Sequence, residues 1–236
     1  MEENLILAGV GGQGILTIAK AISVAGLRLG LKIKQAEVHG MSQRGGAVQS
    51  HLRIADHEPA SDLIPLGGAQ MVLAVEPLES LRYVQYLRAD GVVVASTNPF
   101  VNIPNYPPIE EILERIARLP RHVLLDADKL SKMAGSGRSA NIVLLGAAAL
   151  FLDIDATELK NAVAAMFAAK GPKVVETNEL AFTLGRNAAQ AYRDGLESGG
   201  SSVAVRQWID SRTLEQLSAA DGVDTCGLKR ELLASG

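Results

Sequence analysis

Six residues near the N-terminus, Gly9-Val10-Gly11-Gly12-Gln13-Gly14, satisfy G-x-G-x-x-G between an apolar run and a stretch of helical period. Glycines there permit a tight turn and close backbone approach, and the helix start that follows offers N–H groups to an anion. Glu37, at the end of the next apolar run, occupies the place of a ribose-binding carboxylate. Two readings are open on these residues: a dinucleotide site, or glycines that let a helix approach its sheet or a partner closely with no cofactor. The second segment is Glu37-Val38-His39-Gly40-Met41-Ser42-Gln43-Arg44-Gly45-Gly46. An ordinary dinucleotide fold runs from its second strand into a crossover helix, whereas this polar, glycine-bounded loop leads straight into another strand-like stretch. Arg44, among short neighbours, could clamp a carboxylate or phosphate through paired hydrogen bonds, or pair internally with Glu37. His39 is of a type that titrates near neutrality, but a hydrogen-bonding place in the loop is the simpler assignment. His51, His57 and His122 lack metal-ligand spacing and are expected to be structural or exposed.

The elements that must position these residues follow from hydrophobic periodicity. Residues 4–8, 33–38, 47–54, 70–75, 91–95 and 122–126 read as strands. Helices are expected from residue 15, where Ile15, Ile18, Ala19, Ile22 and Ala25 form one stripe, and over 77–87, 109–119, 141–152, 156–169 and 176–192. Residues 98–108, with four prolines and three asparagines, form a loop. Strand–helix alternation predicts an α/β fold, a three-layer Rossmann-like domain with a mainly parallel sheet. From residue 195 the chain turns rich in Gly and Ser, which suggests a domain of residues 1–194 and a linker with a C-terminal helical extension over 195–236. A helix over 203–220, carrying Trp208, Ile209, Leu214 and Leu217, would either cap its own core or dock on another chain.

Composition excludes several classes. With 236 residues, 47% hydrophobic and 21% charged, the chain is long and apolar enough for one sizeable core. Lys+Arg of 23 against Asp+Glu of 26 gives a net charge of −3, without the basic footprint of a nucleic-acid binder. The single cysteine, Cys226, supports neither an internal disulfide nor the thiolates of an iron–sulfur cluster. Met1-Glu2-Glu3 is acidic where a signal peptide would be basic, and the longest apolar run, 142–152, is too short to span a bilayer. The expectation is a cytoplasmic protein with no membrane contact and no metal of its own.

The two glycine-rich segments, taken together and in order, resemble the small subunit of 2-oxoacid:ferredoxin oxidoreductases, above all the indolepyruvate (arylpyruvate) branch. Arg53, Asp62-Leu63-Ile64-Pro65, Glu76-Pro77-Leu78-Glu79, Ser96-Thr97-Asn98-Pro99 and Asn141-Ile142-Val143-Leu144-Leu145-Gly146-Ala147 fit the same likeness, which covers about residues 4–192. The wording of residues 38–43 favours the arylpyruvate branch over the wider gamma family. The resemblance implies a complex that oxidatively decarboxylates 2-oxoacids to acyl-coenzyme A and passes electrons to ferredoxin. Thiamine diphosphate and iron–sulfur clusters would reside on a large partner subunit, and this chain alone would be inactive. It also implies two loops at one sheet edge, Gly11, Gly12, Gln13 and Gly14 with His39, Gly40, Ser42, Gln43, Arg44 and Gly45, facing the partner. Asn98 and residues 136–141, ending at Asn141, are further candidates near strand ends. Two alternatives stand beside this: a self-sufficient NAD- or FAD-binding oxidoreductase, and a non-catalytic ligand-binding regulator.

Overall fold

The computed structural model describes residues 1–39, 45–220, 222–225 and 227–228, His39 through its backbone alone. The chain runs β1 (Glu2–Val10), α1 (Ile15–Arg28), β2 (Lys32–His39), β3 (Ala47–Ala55), β4 (Ala69–Ala74), α2 (Pro77–Arg82), β5 (Leu87–Ser96), α3 (Ile109–Ala117) and β6 (His122–Leu125). Helices then follow: α4 (Ala127–Met133), α5 (Ala140–Ala148), α6 (Ala156–Phe167), α7 (Pro172–Glu197), α8 (Ser202–Asp210) and α9 (Leu214–Leu217).

One six-stranded sheet has the order β2-β3-β1-β4-β5-β6. β1, β4, β5 and β6 are parallel neighbours, while β3 is antiparallel to both β1 and β2. The sheet is therefore mixed: a hairpin, β2–β3, is inserted beside β1, and β2 lies at the outer edge. Strands buried on both faces read as unbroken apolar runs. Leu5, Ile6, Leu7 and Ala8 of β1 and Met71, Val72, Leu73 and Ala74 of β4 are all fully enclosed. The crossover through α1 leaves β1 toward β2, whereas those through α2 and α3 leave β4 and β5 in the other direction along the sheet, so α1 and the α2–α3 pair cover opposite faces. The helix α1 shares its face with α5, α6 and α7.

The stripe Ile15, Ile18, Ala19, Ile22 and Ala25 is the buried face of α1. Other expectations need correction. The helix predicted over 77–87 stops at Arg82, and after a short 3-10 turn Leu87 already opens β5. The seven-residue α4 lies where no helix is expected; Asp126 caps it, accepting from Lys129 N at 2.8 Å. The helix predicted over 203–220 is broken, because Thr213 and Gln216 form a capping box that starts α9 afresh. The Gly-rich stretch from residue 195 begins inside α7, where Gly195 serves contact: a Cβ there would meet Val205 at 2.7 Å. Val205, Trp208 and Ile209 of α8 are buried in the same core as the sheet.

Two further glycines set the closest helix crossing. A Cβ on Gly146 of α5 would lie 2.0 Å from Phe182 O, and one on Gly185 of α7 would lie 1.8 Å from Val143 O. The two helices meet backbone to backbone. Among the described residues no helix is long and apolar enough to cross a membrane.

Candidate functional site

Parallel β1, β4, β5 and β6 all end at one edge, and the β2–β3 connection joins them there because Val10 pairs with Ala47. β1 and β4 are neighbours whose following helices depart to opposite faces, which opens a crevice at the carboxyl ends of the strands. The crevice is a cleft of 490 Å³. Gly12 and Gln13 line it from the glycine turn, Asn98 and Phe100 from the loop after β5, and Arg138 and Asn141 from the start of α5.

The turn is held from within. Gln13 folds back so that its Oε1 accepts from Val10 N at 2.7 Å, and Gly11 N donates to Gly46 O at 2.9 Å. Gly14 sits at φ +80°, a left-handed conformation that β-carbon-bearing residues adopt at a cost. Its carbonyl accepts from Asn141 Nδ2 at 3.1 Å, which ties α1 to α5 across 127 residues of sequence. A Cβ on Gly14 would lie 2.4 Å from that same nitrogen.

Asn98 is engaged inside the fold. Its Oδ1 accepts from Ser96 Oγ at 2.8 Å and from Asp128 N at 3.1 Å, and its Nδ2 donates to Asp126 Oδ1 at 3.0 Å. The side chain thereby joins the end of β5 to the cap of α4. Arg138 is exposed at the cleft rim and makes no ion pair among the described residues. The rim opposes it with Asp128, on the first turn of α4.

Glu76 organises the far wall. It is 1% exposed, caps α2 by accepting from Glu79 N at 2.8 Å, and accepts from Phe100 N at 3.4 Å and from the Tyr106 hydroxyl. Burial and the adjoining Glu76 carboxylate push the Tyr106 phenol well above its ordinary range, so it stays a donor. Burial pushes Glu79 up as well, with the Glu76 charge adding and Arg82 opposing. One buried carboxylate thus pins the proline-rich loop that presents Phe100 to the cleft. The same loop reaches the β2–β3 connection, since Asn102 Nδ2 donates to Gly45 O at 2.6 Å.

The fold brings Gly11, Gly12, Gln13, Gly14, Gly45, Asn98 and Asn141 to this edge. His39 ends β2 opposite Val48 at the same edge. Gly40, Met41, Ser42, Gln43 and Arg44 lie outside the described residues. Glu37, the candidate ribose ligand, is on the outermost strand, with β3 between it and β1. At about 4.8 Å per strand, that insertion moves it roughly 10 Å from the glycine turn, where a dinucleotide fold has direct neighbours. Gln35 Nε2 donates to Glu37 Oε1 at 2.6 Å. Arg53 is at the opposite edge, donating to Asn4 Oδ1 at 2.8 Å and to Ser61 O at 2.9 Å, and bracing the 56–68 loop. His51 is buried; its Nδ1 accepts from Ile64 N at 3.0 Å, which requires the neutral ring that burial favours. His122 is buried too, while His57 is exposed.

Sequence reasoning did not single out Phe100, Asp128 or Glu76 as shapers of the cleft. The signal for Asp128 was available in Asp126, which could be recognised as a cap directly after a strand. For Glu76 the local signal is only that of a helix cap before Pro77, met by Glu79 N; its partners in the proline-rich loop are 24 and 30 residues away.

Residues 4–188 match the family described as pyruvate ferredoxin/flavodoxin oxidoreductase. The chain belongs to that family. It is 36% identical over 200 residues to the indolepyruvate oxidoreductase subunit IorB of Pyrococcus horikoshii, covering 80% of this chain and 96% of that one. Among solved structures, the keto/oxoacid ferredoxin oxidoreductase gamma subunit of Geobacter sulfurreducens superposes with a TM-score of 0.59 at 23% identity, over 80% of this chain and 99% of that one. The 2-oxoglutarate:ferredoxin oxidoreductase of Magnetococcus marinus, solved with 2-oxoglutarate, coenzyme A and succinyl-CoA, superposes with a TM-score of 0.65 at 21% identity. The match covers 80% of this chain but 31% of that longer one, and at such identity the two structures speak for the fold alone. As a family member this chain is an oxidoreductase subunit, with the mixed sheet and flanking helices that its structural neighbours share.

Proposed function

We propose that this chain is the small subunit of an arylpyruvate:ferredoxin oxidoreductase, and that its glycine-turn edge closes against the large subunit that carries the reaction. The observation that carries this reading is the 36% identity to an indolepyruvate oxidoreductase subunit along nearly that subunit's whole length. Thiamine diphosphate and iron–sulfur clusters on the large subunit supply the decarboxylation and the electron path to ferredoxin. This chain's residues shape and position. Gln13 and Asn141 lock the turn so that Gly12 presents bare backbone, with nothing within 4 Å of where a Cβ would stand. Phe100 offers an apolar contact, 43% exposed, beside the cleft. Arg138, and with it Arg44, which lies outside the described residues, supply positive charge to an anionic group of the partner, of coenzyme A or of the 2-oxoacid.

Expressing the tagged chain with its large partner tests this. A stoichiometric complex containing thiamine diphosphate and iron is expected, with electron transfer to ferredoxin driven by arylpyruvates. Arg138→Ala should weaken the complex or raise KM for one anionic component by about tenfold. Failure to form any complex, with micromolar binding of nicotinamide or flavin by the chain itself, would contradict the reading.

A further inference from the structure

The loop between β5 and α3 holds apolar side chains out in solvent. Val101 is 70% exposed, the highest value for a large apolar side chain among the described residues, and Phe100 beside it is 43% exposed. No residue from Thr97 to Ile109 is buried and none is charged, in a chain of which 21% is charged. Surface of that kind matches the centre of a protein interface, where charges are depleted and aromatic side chains enriched. A second exposed pair, Leu63 and Leu66 at the opposite edge, lies in a loop that also carries Asp56, Glu58 and Asp62, so its surroundings stay hydrated.

The tip of this loop is held from both sides. Asn98 is bonded to Ser96, Asp126 and Asp128 before it, and Asn102 Nδ2 donates to Gly45 O at 2.6 Å after it. Between them Pro99 fixes a backbone angle, and Phe100 N donates to the buried Glu76 carboxylate. The Tyr106 hydroxyl ties the far limb to the same carboxylate. The apolar pair is thus fixed pointing outward, and little ordering entropy is lost when another surface covers it. Phe100 lines the same cleft as Gly12, Gln13 and Arg138, and Asn102 joins the loop to the β2–β3 connection. Leu16, in the first turn of α1, and Val38, one residue before the end of β2, are exposed at that edge as well. The pair is therefore continuous with the edge assigned above to the large subunit.

We propose that Phe100 and Val101 are the anchor of that interface, an apolar pair that enters an apolar, uncharged pocket on the large subunit. This rests on the reading of the chain as a small subunit. It adds that the largest single share of the affinity comes from these two side chains.

The test is titration of the purified large subunit, loaded with thiamine diphosphate, with the full chain and its variants. Val101→Asp puts a carboxylate into the apolar pocket and should weaken binding about a hundredfold. Val101→Thr keeps the shape but adds a hydroxyl, and Phe100→Ala removes the ring; each should cost about tenfold. Leu66→Asp, at a position 65% exposed on the opposite edge, should bind as the wild type does. Because Val101 and Leu66 face solvent in the free chain, both aspartate variants should keep its thermal midpoint. Wild-type affinity in Val101→Asp would overturn the anchor and leave the small-subunit reading standing. An equal loss in Leu66→Asp would overturn it too. If the wild-type chain does not bind the large subunit at all, the reading itself falls, and the anchor with it.

Discussion

Gly12 and Gly14 differ by two positions and share a positive φ, yet they answer to different constraints. At Gly12, φ is +99° and the space around a Cβ is empty; at Gly14, φ is +80° and Asn141 Nδ2 would be 2.4 Å away. Gly12→Ala should therefore cost about 1 kcal/mol of backbone strain. It would act chiefly by putting a methyl group on the open surface proposed to meet the partner. Gly14→Ala should cost about 3 kcal/mol, since it adds displacement of Asn141 to that strain. Urea denaturation of both variants would separate them. Glu3 is 1% exposed, its Oε1 accepts from Asp153 N at 2.7 Å, and its Oε2 is enclosed without a hydrogen-bond partner among the described residues. Burial pushes its carboxyl from an ordinary 4.5 up to about 7. Below the ordinary value both folded and unfolded states are protonated and nothing is lost. Between 4.5 and 7 the unfolded chain ionises first, so stability falls as pH rises, reaching a penalty of about 3 kcal/mol above 7. Glu3→Gln should remove that slope, making the variant the more stable protein at pH 8 and narrowing the gap at pH 5. A variant with an unchanged pH–stability curve would refute the assignment.

At the scale of elements, α5 and α7 carry the helical layer because Gly146 and Gly185 let their backbones touch. Either glycine changed to alanine drives a methyl group into a carbonyl oxygen that no rotamer can relieve. A loss of about 3 kcal/mol or more is expected for each, read as a lowered thermal midpoint. This crossing could not be seen in the sequence, because residues 146 and 185 become neighbours only once both helices are placed. Local features were visible: the α1 stripe, the glycine turn, and the polar loop leading straight into another strand. The last of these is what separates the fold from an ordinary dinucleotide domain, since β3 enters between β2 and β1. The missed α4 and the broken 203–220 helix are both decided by caps, Asp126 and Thr213, single side chains that outweigh the apolar period around them. In the cleft, the glycines and Asn141 were legible as types, whereas the bond between Asn141 and Gly14 spans 127 residues and belongs to tertiary structure.

At the scale of the whole molecule, the strand order collects the glycine turn, the β2–β3 connection, the proline-rich loop and the start of α5 at one edge. Glu76, Asn98 and Asn141 spend their hydrogen bonds on holding that edge rather than on a ligand. An edge so pre-organised, with bare glycine backbone at Gly12 and a cation at Arg138, suits docking against a surface that already holds the reactive groups. Family membership and the likeness to oxidoreductase subunits point the same way. The most direct measurement is arylpyruvate-dependent reduction of a viologen dye by the purified chain, by its large partner, and by the two combined. Full turnover is expected only in the combination, falling when Gly14 is replaced by alanine; robust turnover by this chain alone would contradict the accessory role.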